Sequence, residues 1–509
     1  MFEYGIMPPA MFLGMIIFML YGFPVAFSLS AVGLFFGLLG IATGHFEFAF
    51  LQALPFRIFG IVSNDLLLAI PFFTFMGAVL ERCGLAEDLL EGTGKLFGAI
   101  PGGLAYAVIL VGAILGAITG TVAASVITMG VISLPIMLKY GYNPRLATGV
   151  IAASGTITQV IPPSLVLIVL ADQLGRSVGD MYLGAIGPSI LQVLIFLLYI
   201  LFLSIVRPKD VPPLPLEARG EMNMALVMRV LWGMVPSIVL IFLVLGTIFM
   251  GLATPTEAGA LGVVGAMALA ALHRRLTWDL IRQGMHSTMT ITSMVVFILV
   301  GATCFSLVFQ GMDGGLWIEY LLKHVPGGVV GFLIFVNIFI FFLAFFLDFF
   351  EIAFIVLPML APVASALGID LIWFGVLLCV NMQTSFMHPP FGFALFYLRS
   401  IAPKSVKTRD IYLGAIPWLG MQLILVAIII FWPQSVTYWL DKAPDVDLNT
   451  IKIDVPGFGN GLGNGLGGGN NQMPNFGLPP MDGAPAQPGQ PAPGLPGMPN
   501  FGEPPKINP

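Results

Sequence analysis

The stretch Gly141–Ser164, GYNPRLATGVIAASGTITQVIPPS, decides how this chain is read. It starts as an apolar helix, turns polar at Ser154-Gly155-Thr156-Ile157-Thr158, and then meets Pro162-Pro163. Helix breakers and hydroxyls at membrane depth are tolerated only where the freed backbone faces protein or a cavity. Helices broken this way, with carbonyls and helix ends gathered around an ion, mark secondary transporters. A polar loop between two short helices would read the same if the stretch stood alone. Recurrence separates the two. Gly368–Phe391, GIDLIWFGVLLCVNMQTSFMHPPF, repeats it 227 positions on. Gly141 falls on Gly368, Pro162-Pro163 on Pro389-Pro390, Ser154 on Asn381 and Thr158 on Ser385.

The repeat extends along the chain as a ladder: Pro24/Pro255, Pro101/Pro326, Pro135/Pro358, Gly141/Gly368, Pro162/Pro389 and Tyr182/Tyr412. Its offsets stay between 223 and 231, its order is unbroken, and its last rung is literal, YLGAI at 182–186 and again at 412–416. Internal repeats fix an architecture before any local reading does. Composition names the solvent. Of 509 residues 58% are hydrophobic and 9% charged, with mean hydropathy +0.96. Soluble domains carry about a quarter charged residues, so this is an all-α polytopic membrane protein. The three cysteines, Cys83, Cys304 and Cys379, lie in or at the end of apolar runs, which predicts no disulfide framework. Met1–Met7 lacks a basic start, so no cleavable signal peptide is expected. No basic cluster with interleaved aromatics points to nucleic acid.

Apolar runs and breakers predict spans near 8–21, 23–41 and 66–83, with an interfacial helix over Phe46–Val62 and another over Ala86–Phe97. A hairpin at 101–137 opens on Pro101-Gly102-Gly103 and turns at Ala117–Thr121. Its arms of about sixteen residues fall short of the roughly 20 a span needs, so it reads as re-entrant. A broken helix at 143–171 and a span at 181–206 complete a first repeat, 1–206. The proline- and charge-rich segment 207–229 is the linker. The second repeat, 230–440, has spans near 230–250, 256–272 and 286–309, a hairpin at 326–365, a broken helix at 370–399 and a span at 410–432. Residues 441–509 form a Gly/Pro/Asn-rich tail too poor in apolar residues to order, with MPNFG at 473–477 and 498–502.

Five crossings per half, an odd number, invert the two halves relative to each other. With the linker cytoplasmic, fifteen of the 21 basic residues lie inside. Only Arg57, Arg176, Lys323, Lys442, Lys452 and Lys506 stay outside. That bias follows the positive-inside rule and puts both termini on the outer side, which the family resemblance given below makes the periplasm.

Three features could carry chemistry. The first is the pair of breaks, Ser154–Thr158 and Asn381–Ser385, each facing a hairpin tip: Thr119-Gly120-Thr121 and Leu347-Asp348. Sodium takes several oxygens, which hydroxyls, amides, carboxylates and freed carbonyls supply. The sodium ligands expected are Thr119, Gly120, Thr121, Ser154, Gly155 and Thr158 at one site, and Asp348, Asn381 and Ser385 at the other. A pocket between them, lined by Thr121, Thr156, Pro162, Thr384, His388 and Pro389 and faced by helix N-termini, suits an anion. The second feature is Asp348 with Glu351: intramembrane carboxylates bind cations or relay protons, or snorkel at a bend. The third is His388, a substrate contact or a packed side chain. Glu257, three residues after Thr254, reads as a capping box. No zinc-protease, nucleotide-loop or dinucleotide motif is present, which argues against an enzyme.

GLATPTEAGA at 251–260, GAITGTVAAS at 116–125, the ASGT…IPPS break at 153–164 and FLD at 346–348 resemble the large permease subunit of tripartite ATP-independent periplasmic (TRAP) transporters, over residues 1–440. That resemblance implies sodium-coupled uptake of small organic acids across the bacterial inner membrane, by an elevator-type secondary transporter. It implies a small four-span membrane subunit and a periplasmic substrate-binding protein as partners, and no cofactor beyond sodium as coupling ion. It lays Thr119–Thr121 and Ser154–Thr158 on the family's first sodium site, with Asp348 and Asn381–Ser385 near its second. Many members read Thr-Pro-Pro-Val-Gly where this chain has His388-Pro389-Pro390-Phe391-Gly392. NMQTSF followed by PPFGFALFYLR resembles the branch associated with 2-oxo acids and lactate. A stand-alone anion symporter and a membrane enzyme using Asp348, Glu351 and His388 are the alternatives.

Overall fold

In the computed structural model the described residues are 5–215, 217, 224–345, 347–389 and 392–440. They lie in a unit ending at Lys442, and among them every regular element is helical. Phe346, Pro390, Phe391, most of 216–223 and the tail expected to be disordered, 441–509, lie outside the described residues. A chain this apolar has no water to satisfy its backbone, so each segment must close its own hydrogen bonds. Among the described residues seven helices are long and apolar enough to cross a membrane, or up to nine if each of two bent pairs counts as one span.

In chain order the first helices are α1 (Met7–Leu20), α2 (Val25–Thr43), α3 (Phe48–Gln52), α4 (Leu54–Val62), α5 (Ala69–Arg82) and α6 (Leu85–Leu96). The first hairpin is α7 (Gly103–Thr119) and α8 (Val122–Lys139), the broken helix α9 (Pro144–Thr156) and α10 (Leu165–Leu174), and the closing span α11 (Val178–Val206). Then come α12 (Met224–Phe249), α13 (Pro255–Leu272), α14 (Trp278–Gly311) and α15 (Gly314–Lys323). The second hairpin is α16 (Gly328–Leu343), α17 (Phe349–Glu351), a π-helical stretch and α18 (Leu357–Ala366). The second broken helix is α19 (Leu371–Met382) and α20 (Phe393–Ile401), followed by α21 (Thr408–Phe431) and α22 (Gln434–Thr437).

Local chemistry explains the ends. Asn143 accepts from the Arg145 amide at 3.0 Å, with Pro144 at the first helical position of α9. Asp370 does the same for α19, accepting from Ile372 and Trp373. Thr254 and Glu257 form the expected capping box on α13.

Several boundaries differ from the sequence reading. The linker ends earlier than 229, because α12 is helical from Met224. The third span of the second half, read as 286–309, runs from Trp278 to Gly311, its N-terminus capped by Thr277. Helix α15 was not expected; it meets α16 at 119°. The hairpin arms are also longer than sixteen residues: α7 has 17 and α8 has 18. Eighteen residues reach about 27 Å, most of a ~30 Å hydrocarbon core, so arm length alone does not make this hairpin re-entrant. The breaks start late as well. Ser154, Gly155, Thr156 and Asn381 are still α-helical, and 3-10 turns follow at Ile157–Gln159 and Gln383–Phe386.

Contacts between the elements that the sequence ladder matches run crosswise. Helix α2 packs on α14 and α5 on α13, while α9 packs on α21 and α19 on α11. Glycines allow the closest of these approaches. A Cβ on Gly301 of α14 would stand 2.5 Å from the Ala26 carbonyl oxygen of α2. On Gly184 of α11 it would meet Ile372 and Val376 of α19.

Candidate functional site

The first hairpin turns in two residues. Gly120 takes a left-handed conformation (φ +62°) that a side chain would strain, and Thr121 is extended before α8 begins. Thr119 Oγ1 and Ser125 Oγ tie the turn across 2.9 Å. Helix α7 lies directly on the first break. A Cβ on Gly112 would stand 2.7 Å from Ser154 Cβ, and one on Gly116 would stand 3.0 Å from Thr158 Cα. From the other arm, Val126 closes on Gly155. Thr119–Thr121, one turn beyond Gly116, and Ser154–Thr158 are therefore brought together by the packing of α7 and α8 on α9.

The three hydroxyls of the break itself, on Ser154, Thr156 and Thr158, are fully buried and already committed as donors. Ser154 donates to the Ile151 carbonyl, Thr156 to Ala153 and Thr158 to Gly155, each at 2.9 Å. A hydroxyl has one proton and two lone pairs. With the proton spent on the backbone, the Ser154 and Thr158 oxygens can only accept, which is the electrostatic requirement of a cation ligand.

The second break is built from amides. Asn381 Nδ2 donates to the Asn337 carbonyl oxygen of α16 at 2.8 Å, and Thr384 donates to the Asn381 carbonyl at 2.6 Å. Asn381 Oδ1, Ser385 Oγ and Asn337 Oδ1 are buried and have no hydrogen-bond partner among the described residues. Unpaired buried polar groups cost about 1–3 kcal/mol each, so two at the break and a third on the facing helix α16 leave room for a partner, and the two amide oxygens among them suit a cation. Asn337 was missed by the sequence reading, because one amide inside GVVGFLIFVNIFIFFL carries no periodic signal.

Asp348 has a different neighbourhood from the one expected. Its carboxylate caps α17, accepting from the Phe350 amide at 2.8 Å and the Glu351 amide at 3.2 Å. Glu351 accepts in return from the Asp348 amide at 3.0 Å. Among the described residues Asp348 makes no hydrogen bond to Asn381 or Ser385. The hairpin still reaches the break, since the Phe349 and Phe386 rings lie 6.5 Å apart.

His388 is 1% exposed and held in an aromatic slot, stacked on Phe345 at 4.3 Å and edge-on to Phe341 at 4.2 Å. Neither ring nitrogen has a partner among the described residues, so neither carboxylate touches it. Thr384 and Thr156 lie buried in their breaks, and Pro389 follows His388. Pro162 stands apart, lining an apolar cavity of about 590 Å³ between α11 and α12. A polar cavity of about 410 Å³ lies elsewhere, lined by Arg57, Asn64, Asp172, Gln173, Thr303 and Ser306.

The family model described as "Tripartite ATP-independent periplasmic transporter, DctM component" matches residues 12–435. The chain belongs to this family. A C4-dicarboxylate TRAP transporter large permease protein of Pseudomonas aeruginosa is 30% identical over 385 residues, 75% of this chain and 88% of that protein. A sialic acid TRAP transporter large permease protein of Vibrio cholerae is 28% identical over 81% of this chain and 93% of its own length. Among solved structures, the Alcanivorax borkumensis YdaH transporter, described as having an unusual topology, matches with a TM-score of 0.55 at 15% identity, over 75% of this chain and 88% of that one. At that identity the likeness concerns the fold alone. This TRAP permease is thus a multi-pass protein of the inner membrane, and its relatives are named as transporters, which removes the enzyme alternative.

Proposed function

We propose that this chain is the permease of a sodium-coupled, binding-protein-dependent uptake system for a small organic acid, of the lactate or 2-oxo acid type. One observation carries the reading: buried acceptor oxygens without partners, Asn381 Oδ1 and Ser385 Oγ, sit at one helix break. Hydroxyls with their protons committed, Ser154 and Thr158, stand at the matching positions of the other. Sodium is the cargo such oxygens suit, and both bound ions would supply positive charge beside the substrate. The carboxylate class draws on the relatives, named for C4-dicarboxylates and sialic acid. His388, where many members have threonine, is the residue of this chain that we assign to substrate selection.

A small four-span membrane subunit and a periplasmic binding protein complete the system. Within the chain, the hairpins and broken helices form the moving body, and α2, α5, α13 and α14 the frame. The test is uptake of labelled lactate, pyruvate and succinate into proteoliposomes holding both membrane subunits, with the binding protein outside. A sodium gradient should drive accumulation of one of the acids. Accumulation that persists when sodium is replaced by choline, or that ignores omission of the binding protein, would overturn the assignment.

A further inference from the structure

Two buried glutamines stand where neither the family match nor the candidate sites account for them. Gln192 lies in α11 and Gln422 in α21, 230 positions apart, the same offset as Tyr182 and Tyr412. Each is at most 1% exposed. Gln192 exchanges two hydrogen bonds with Gln383, its Nε2 donating at 2.8 Å and its Oε1 accepting at 3.1 Å. Gln422 Nε2 donates to Thr156 Oγ1 at 2.9 Å.

The pattern is crossed: the closing span of the first half holds the break of the second, and the closing span of the second holds the break of the first. The residue held is the middle one each time. Gln383 lies two positions from both Asn381 and Ser385, and Thr156 two positions from both Ser154 and Thr158. A grip where the α-helix passes into the 3-10 turn, at the last residue of α9 and the first residue after α19, fixes the rotation of the turn that follows, and with it the direction of the oxygens on either side. The gripping helices are themselves braced together, one turn from each glutamine. Phe196 meets Trp418 edge-on at 5.0 Å, and Tyr199 meets the same ring at 5.2 Å.

We propose that Gln192 and Gln422 are positioning residues, crossed straps that aim the acceptor oxygens of the two breaks and so set sodium affinity at the opposite half. The inference rests on the sodium-coupled reading above. Amide-to-amide and amide-to-hydroxyl straps carry no charge, so they can aim oxygens at a cation without competing for it or repelling it.

The experiment uses sodium alone as the probe. The purified full-length chain is melted across a series of sodium chloride concentrations, with choline chloride holding ionic strength constant. Ligand that binds only the folded state raises the melting temperature, and the titration gives a midpoint. Gln192→Leu is compared with the paired variant Gln192→Leu/Gln383→Leu, and Gln422→Leu with Gln422→Leu/Thr156→Val. Losing one partner strands the other, whereas removing both leaves nothing unpaired. The paired variants should therefore recover the melting temperature in choline, yet keep a sodium midpoint raised about tenfold, the size of one hydrogen bond's worth of misalignment. If a single variant fails to fold, its paired variant gives the same reading. Paired variants with a wild-type sodium midpoint would show the glutamines to be packing only and overturn the inference. A wild type with no sodium-specific stabilisation would overturn the sodium reading itself, and the straps with it.

Discussion

Asp348 accepts hydrogen bonds from the Phe350 and Glu351 amides, so a capping role is on display whether or not it also meets a cation. One substitution separates the two. Asparagine caps a helix about as well as aspartate, while alanine loses about 1 kcal/mol. Asp348→Asn should insert and melt like the wild type, yet need several-fold more sodium for half-maximal uptake, because a full charge has left a low-dielectric site. Asp348→Ala should show the same sodium defect together with lower thermal stability. If Asp348→Asn leaves half-saturation unchanged, Asp348 is a cap and nothing more. Thr158→Val removes a neutral oxygen whose proton serves Gly155, so its sodium defect should be milder than that of Asp348→Asn. His388 is tested through the other ligand. His388→Phe keeps the stack on Phe345 but deletes both nitrogens. It should raise the half-saturating concentration of the organic acid and leave the sodium curve in place; a sodium shift without an acid shift would remove His388 from the substrate site.

Among the elements, the hairpin arms and the breaks depend on close approach rather than on polar chemistry. Gly112 of α7 lies against Ser154 so tightly that an added Cβ would come within 2.7 Å of its Cβ. Gly112→Val should cost about 1–3 kcal/mol by overpacking and raise the sodium midpoint as α7 is pushed off the break. Thermal melts in sodium and in choline check both effects. A stability loss with an unmoved midpoint would mean that α7 supports the fold but not the site. This contact was legible only in part. Pro162-Pro163, Pro389-Pro390 and the Pro-Gly-Gly openings at 101–103 and 326–328 announce breaks and hairpins, because proline and glycine act through the local backbone alone. Helix α15 was illegible, since ten residues of mixed polarity give no span-length run. Gln192, Asn337 and Gln422 were illegible for a related reason: one amide in an apolar run has meaning only through the partner that tertiary packing brings to it. The two glutamines, unlike Asn337, do stand in register with the ladder, Gln422 falling on Gln192 at the offset of the YLGAI rung, but register alone names no partner. DFFE at 348–351 shows a second pattern that local spacing makes legible, a capping box that the structure forms beside the ligand role expected of Asp348.

For the whole molecule, topology and motion each have a direct test. A single cysteine at Glu217 in the linker should resist a membrane-impermeant maleimide in intact cells and react once the membrane is opened. Labelling from outside would invert the orientation drawn from the basic residues. Motion is tested where the proposed frame and moving body touch. Asn64, just before the turn leading into α5, caps that turn through the Leu66 amide at 3.0 Å and donates from Nδ2 to Asp172 Oδ1 at 2.8 Å. Asp172 belongs to α10, part of the proposed moving body, so this hydrogen bond crosses the sliding boundary and lines the polar cavity with Arg57. If α10 must travel past α5, the pair can exist in one state only, because packed interfaces switch between discrete arrangements rather than stretch. Cysteines at 64 and 172, bridged by mercuric ion, should then hold the molecule in that state. The native Cys83, Cys304 and Cys379 are free and buried, and replacing them with serine keeps the bridge unique. Bridging should cut uptake to about a tenth or less, with recovery on adding thiol, while either single-cysteine variant stays active. Full uptake by a demonstrably bridged protein would mean that α10 and the frame move as one, and the elevator reading would have to be abandoned.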